Sequence, residues 1–362
     1  MTARDATGHE AQAGALVERL FRDLLGAATT YAVYLGDRLG LYRAMADGGP
    51  TTAAELASRA GIAERYARKW LEAQASDGIL TLVDGTEAAT RRFALPVAHA
   101  EVLADRDSLN YFAPFMSLLV AGGIQLPALQ QAYRSGGGVS WGEYGEEMRT
   151  AQGDANRPMF LTQLGREYLP QVPEVHARLQ QPGTRVADIG CGVGWSSIGI
   201  AEAYPNTHVD GYDLDAPSVT EVIQHAAARG LGDRVTFRAV DASTATGTYD
   251  LVIACECIHD IAHPVEVLAT MRRLAGDTGT VIVMDEAVAE TLEAPASEVD
   301  RLFYGYSLLV CLPDSLSHAG SVATGTVIRP STLRAYAQSA GFRDIDVLPI
   351  ENDFFRFYRL VR

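Results

Sequence analysis

Several things are scarce in this 362-residue chain. Lysine occurs once, at Lys69, and Lys and Arg together number 30 against 45 Asp and Glu, for a formal net charge of −15. A surface of that sign repels phosphate backbones, so nucleic acid is an unlikely partner unless a local basic patch overcomes the field. No apolar run approaches the roughly 18 residues of a membrane span. The first 30 residues carry acids where a signal peptide has a basic and then an apolar stretch. The expectation is a soluble, cytoplasmic protein with no membrane partner. The four cysteines, Cys191, Cys255, Cys257 and Cys311, form no CxxC pair and no zinc-type spacing, so free thiols and no metal are expected.

What is present is a globular composition, 48% hydrophobic and 21% charged. The length exceeds one ordinary core and asks for at least two units. From Ala11 to Ala46, apolar residues recur at helical spacing (Leu16, Leu20, Leu24, Val33, Leu35, Leu39, Leu41, Met45), which predicts two or more amphipathic helices. Thr52 and Glu55 form a capping box that opens a short helix stopped by Gly61, and a second helix follows from Glu64 to Ser76. Ile79 to Val83, the turn Asp84-Gly85 and Arg92 to Leu95 then read as a hairpin. Helix, turn, helix and hairpin make a winged helix. Its second helix mixes Arg65, Arg68 and Lys69 with Glu64 and Glu72, whereas a groove reader is basic along one face.

Residues 101–175 read as a helical connector rich in aromatics, among them Tyr111, Phe115, Trp141 and Tyr144, expected to cap a pocket. Beyond Arg185, short β-branched runs alternate with helical patterns. The candidates are Val186–Ile189, His208–Tyr212, Val235–Ala239, Leu251–Ala254 and Val281–Met284, with a closing pair at Ile345–Leu348 and Phe354–Leu360. The pattern predicts an α/β fold with a mostly parallel sheet covered by helices on both faces. An insertion, residues 286–329, follows the fifth strand. Its Phe303 and Tyr306 are expected to wall a substrate pocket. The expected division is 1–100 as an N-terminal winged-helix unit serving dimerisation, 101–175 as connector, and 176–362 as the sheet domain.

The first strand runs into Asp188-Ile189-Gly190-Cys191-Gly192-Val193-Gly194-Trp195 and then a helix start. Bare backbone between strand and helix lets a nucleoside cofactor approach the helix N-terminus. The spacing departs from GxGxxG, whose third glycine would fall at Trp195. With its D-x-G-x-G-x-G, the segment resembles motif I of class I S-adenosylmethionine-dependent methyltransferases. The resemblance implies S-adenosyl-L-methionine as cofactor and a Rossmann-like, seven-stranded methyltransferase sheet behind a mainly α winged-helix domain. It places Gly190, Gly192, Gly194 and Trp195 along the methionine and ribose portions, with Asp188 near the amino end. Asp213, with Leu214, lies on the ribose hydroxyls. Asp241 and Ala242 lie at the adenine, and Cys255 at the end of the fourth strand. Three acids at consecutive strand ends suit a ligand at the carboxyl edge of such a sheet.

The run Cys255-Glu256-Cys257-Ile258-His259-Asp260 resembles the matching stretch of winged-helix O-methyltransferases, in which a histidine is general base. By that resemblance His259 is the base. A neutral imidazole near pH 7 suits the task, with Glu256 or Asp260 to orient it. His263, four residues on, raises a metal reading in which His318 and Glu256 are the further ligands, although the sequence offers no clear third donor. The whole pattern looks like actinobacterial winged-helix methyltransferases acting on small molecules, many of them secondary metabolites. It implies methyl transfer, O-methylation foremost and N- or C-methylation next, to a small, aromatic acceptor by a homodimer paired through the N-terminal helices. The alternatives are an S-adenosylmethionine-responsive winged-helix regulator, for which the Glu64–Ser76 helix should carry a continuous positive stripe, and a related enzyme that transfers no methyl group.

Overall fold

The computed structural model describes residues 3–362, with side chains from residue 9 onward. Two compact units emerge, residues 1–120 and 121–362.

In the first unit, the Ala-rich amphipathic stretch forms one long helix, Ala3–Arg38, followed by Leu41–Gly48. The Thr52–Glu55 capping box is formed in both directions at the start of the helix Ala53–Ala60, and the helix Glu64–Ser76 follows. The wing consists of β1 (Thr81–Asp84) and β2 (Arg92–Ala94), paired antiparallel. Val33, Tyr42, Leu56, Trp70, Leu71 and Phe93 belong to the core. Several of its buried polar groups are partnered: Trp70 Nε1 donates to the Ala32 carbonyl at 2.8 Å, Tyr42 donates to Gln74 Oε1, and Tyr111 Oη donates to Asp37 at 2.9 Å, while Gln74 Nε2 and Ser117 Oγ have no partner among the described residues. Leu16, Val17, Leu20, Phe21, Leu24 and Leu25 on the long helix are exposed.

The second unit holds a seven-stranded sheet. Its strands are β3 (Thr184–Ile189), β4 (Thr207–Asp213), β5 (Val235–Ala239), β6 (Leu251–Cys255), β7 (Thr280–Glu286), β8 (Asp344–Val347) and β9 (Phe355–Val361). The order is β5-β4-β3-β6-β7-β9-β8, parallel except for the antiparallel β9. Successive side chains on a strand point to opposite faces, and both faces are dry. Val186, Val209, Leu251, Ile253, Ile282 and Met284 face one cluster, while Ala187, Ile189, Tyr212, Val252, Ala254 and Val283 face the other. Connections leave β3 toward β4 on one side and β6 toward β7 on the other. The carboxyl ends of β3 and β6 therefore form the crevice where sheets of this kind take ligands. Among the described helices, no single one is long and apolar enough to cross a membrane.

Candidate functional site

The glycine loop at the end of β3 is shaped by positive φ angles of 66°, 50° and 79° at Gly190, Gly192 and Gly194, which side chains resist. The three differ in surroundings. A Cβ on Gly190 would lie 2.7 Å from Cys257 Sγ, and one on Gly194 would lie 1.9 Å from Val222 Cγ2, so these two make room for packing. A Cβ on Gly192 would meet nothing within 4 Å: its surroundings are open. The helix Trp195–Ala203 starts immediately behind this opening.

Asp188 is fully buried. Its Oδ2 accepts from Ser196 and Ser197 hydroxyls at 2.6 Å each, while Oδ1 has no partner. Burial pushes its pKa up to about 6, against the pull of those hydroxyls. Asp213 ends β4 and accepts from the backbone N–H groups of Gly192 (2.7 Å) and Asp215 (2.8 Å), which ties the second acidic strand tip to the loop. Burial raises its pKa too. Asp241 caps the turn Ala242–Thr244 by accepting from Ser243 N at 2.8 Å, and Leu214 is exposed.

Trp195 is placed differently from the expectation. Its ring stacks on the His225 imidazole at 4.3 Å, with the Arg157 and Arg229 guanidinium carbons 5.2 and 5.7 Å from its centre. These contacts engage its faces, so it packs and braces the loop.

Beyond β6 the chain turns through Glu256, which has φ of 53°, an uncommon angle outside glycine. His259 follows, 2% exposed. Its Nδ1 lies 2.6 Å from Asp285 Oδ1 and 2.9 Å from Glu286 Oε2, both at the end of β7, and its Nε2 lies 3.3 Å from Asp260. Burial alone would lower the pKa of this ring. The surrounding charges of Asp260, Glu286 and Asp285 overcome it and hold the pKa well above the ordinary imidazole value. These acids favour the imidazolium form of His259, where the sequence reading takes the ring as neutral. Burial pulls Asp285 upward, but the His259 charge prevails and keeps it ionised, while burial and Asp285 push Glu286 up toward its neutral form.

Glu256 is not the group that orients His259. Its Oε2 accepts from Asn156 (3.1 Å) and Gln152 (3.4 Å), and Oε1 is buried without a partner. The orienting acids are Asp285 and Glu286, which sequence reasoning missed. The signal was present: both stand at the carboxyl end of the fifth parallel strand, where ligands gather. Cys311 lies near His259, its thiol pushed up to about 12 by burial and by Asp260. Donor atoms of His259, Asp260 and Cys311 fall within 4.8 Å of one another, as do those of His259, Asp285 and Glu286. Among the described residues these groups leave out His263, His318 and Glu256, the ligands that spacing had put forward. His318 lies 4.0 Å from Asp314.

The pocket aromatics divide. Tyr144 is buried and its hydroxyl donates to the Leu309 carbonyl at 2.6 Å, and the backbone N–H of Trp141 donates to Asp314 at 2.6 Å, so both residues are tied to the insertion segment. There the helix widens to π geometry over Ser307–Cys311, which frees such carbonyls. Phe303 is buried and Tyr306 half-buried, and burial raises the phenol pKa of Tyr306. Tyr111 is instead a core residue of the N-terminal unit, held by Asp37, and Phe115 stacks on Phe112 in the same unit at 4.8 Å.

A glycine loop with an open centre, acids on successive strand tips and this strand order define a class I methyltransferase-type, cofactor-binding sheet. Comparison with known proteins agrees. Residues 180–315 match the model of a methyltransferase domain and residues 27–105 that of an Rv2258c-like winged HTH domain. The chain thus carries a methyltransferase domain, preceded in sequence by a winged HTH domain. Norajmaline N-methyltransferase of Rauvolfia serpentina is 29% identical over 137 residues, 35% of this chain and 47% of that enzyme. The chain thus spans about half the length of this curated relative. Mitomycin 7-O-methyltransferase MmcR has a similar fold with a TM-score of 0.71, 20% identity and coverage of 98% and 99% of the two chains. Human N-acetylserotonin methyltransferase, solved with its SAM cofactor, gives 0.70, 17%, 95% and 97%.

Proposed function

We propose that the chain methylates a small, aromatic acceptor of the secondary-metabolite kind, with oxygen favoured as the receiving atom and nitrogen or carbon as alternatives. The observation that carries the reading is His259, buried at the end of β6 with Asp285 at 2.6 Å and Asp260 at 3.3 Å.

The cofactor, when bound, supplies an electrophilic methyl group on a sulfonium. Gly192 would offer it open backbone, Asp213 would accept from the ribose hydroxyls, and Asp241 with Ala242 would hold the adenine. Asp188 and Cys255 back the loop from the ends of β3 and β6. His259 donates Nδ1–H to Asp285, so Nε2 is the atom that exchanges a proton with an acceptor hydroxyl, and Asp260 shares that proton. Because the surrounding acids raise the pKa of the ring, its basic form grows as pH rises. Trp141, Tyr144, Phe303 and Tyr306 wall the acceptor, and the rest of the barrier is lowered by positioning.

Assembly as a homodimer in the cytoplasm completes the proposal. The exposed apolar stripe of the long helix supports pairing. On the Glu64–Ser76 helix Arg68 pairs with Glu64 and Lys69 with Glu72 at 2.6 Å, while Arg91 of the wing reaches Glu72 at 3.1 Å. Paired charges leave no continuous positive stripe, which weighs against the DNA-binding regulator.

The test is incubation with methyl-labelled cofactor and panels of aromatic hydroxyl and amine compounds, with S-adenosylhomocysteine formation as readout. Label should move to an aromatic hydroxyl compound, and His259→Gln should slow transfer by about 100-fold or more. Cofactor binding without turnover on any panel would leave only the non-transferring alternative.

A further inference from the structure

Glu256 has a buried carboxyl that the proton-handling cluster does not use. One oxygen is served by Asn156 and Gln152, while the other, Oε1, has no partner. These two amides lie one turn apart on the helix Trp141–Met159. Between them Gly153 abuts the glycine loop so closely that a Cβ there would stand 2.5 Å from Val193 Cγ2. On its other flank, the neighbouring Cys257 abuts Gly190. Glu256 is thus fixed between that helix and the loop, at the carboxyl ends of β3 and β6, and its backbone N–H is tied to the Met284 carbonyl at 2.8 Å. The positive φ costs about 1 kcal/mol or more and is retained.

No Arg or Lys is among the main groups acting on this carboxyl. The charges acting on it are His259, which favours ionisation, and Asp285 and Asp260, which oppose it. A carboxyl with an orphaned oxygen in such surroundings is completed by a cationic donor. Resting on the methyltransferase reading, we propose that Glu256, with Gln152 and Asn156, receives the α-ammonium at the methionyl end of the cofactor, and so binds cofactor instead of orienting His259.

Burial pushes the Glu256 pKa up to about 8. At pH 7 the empty protein therefore holds this carboxyl mostly protonated, and an arriving ammonium drives its proton into solvent. Titration calorimetry at pH 7 in two buffers of different ionisation enthalpy counts that proton. S-adenosylhomocysteine, which keeps the ammonium, is compared with 5′-methylthioadenosine, which lacks the amino-acid end. The parent should release a proton on binding S-adenosylhomocysteine. Glu256→Gln should abolish the release and weaken that binding about 10- to 100-fold while leaving 5′-methylthioadenosine binding unchanged, which also verifies the fold.

Equal S-adenosylhomocysteine binding by parent and variant overturns the proposal alone. So does equal loss of both compounds, and so does a loss confined to S-adenosylmethionine, which would put the carboxylate on the sulfonium. Failure of the parent to bind any of these compounds removes the proposal together with the reading beneath it.

Discussion

His259 Nδ1 and Asp285 Oδ1 lie 2.6 Å apart, both side chains closed off from solvent, with Glu286 and Asp260 completing the ring of acids. Such a pair shares charge, so the histidine should hold its proton more tightly than an ordinary imidazole. In an NMR titration the His259 ring resonances should titrate at a pH above the ordinary imidazole range. Asp285→Asn should move the titration to lower pH. A ring that titrates within or below the ordinary range in the parent contradicts this account.

The same shift has a consequence for stability. A group whose pKa is raised on folding contributes stability that is present below its unfolded value and is lost as pH rises through the folded one. His259 belongs to this class, and so do Asp188 at about 6, Asp314 at about 7 and Glu256 at about 8. Tm should therefore fall between about pH 5 and pH 9, and Glu256→Gln should flatten the fall below about pH 8. A Tm that climbs through this window sinks the assignment.

Gly192 and Gly194 should respond differently to alanine. At Gly194 a Cβ would collide with Val222 at 1.9 Å in addition to the unfavourable φ of 79°, so Gly194→Ala should cost about 2–4 kcal/mol of stability by chemical denaturation. At Gly192 the space is open, so Gly192→Ala should cost about 1 kcal/mol yet lose cofactor affinity, because the methyl enters the cradle. Equal effects at the two positions would show that the loop's open centre is not a binding surface.

The long N-terminal helix predicts its own partner. If its apolar stripe pairs two chains, parent protein should show a dimer mass in light scattering, and Leu20→Glu with Leu24→Glu should give a monomer with an unchanged helical signal. A monomeric parent removes the dimer. Anisotropy with duplex DNA at physiological salt should show no sequence-specific association by the winged helix.

Much of this was legible from residues alone, because parallel strands buried on both faces read as short apolar runs and because glycines with positive φ have few substitutes. Val235–Ala239 was delimited from its β-branched spacing, and Asp188, Asp213 and Asp241 were found as strand tips. What sequence did not reveal depends on contacts between distant segments. Asp285 meets His259 across 26 positions, and Asn156 meets Glu256 across 100. The strand-end position of Asp285 is readable from the sequence, but no local pattern encodes either contact. The pKa of His259 was misjudged for the same reason, since a lone imidazole is neutral near pH 7 and only the surrounding acids change that. Tyr111 misled because an aromatic serves a core and a pocket equally well, and its hydrogen bond to Asp37 spans 74 positions.

The most direct test of the cofactor cradle is calorimetric titration of the purified protein with S-adenosyl-L-methionine, alongside Asp213→Asn. Saturable association with one molecule per chain, weakened about 10-fold or more in the variant, is the predicted result. The absence of any heat of association in the parent, at ligand concentrations up to the millimolar range, contradicts it.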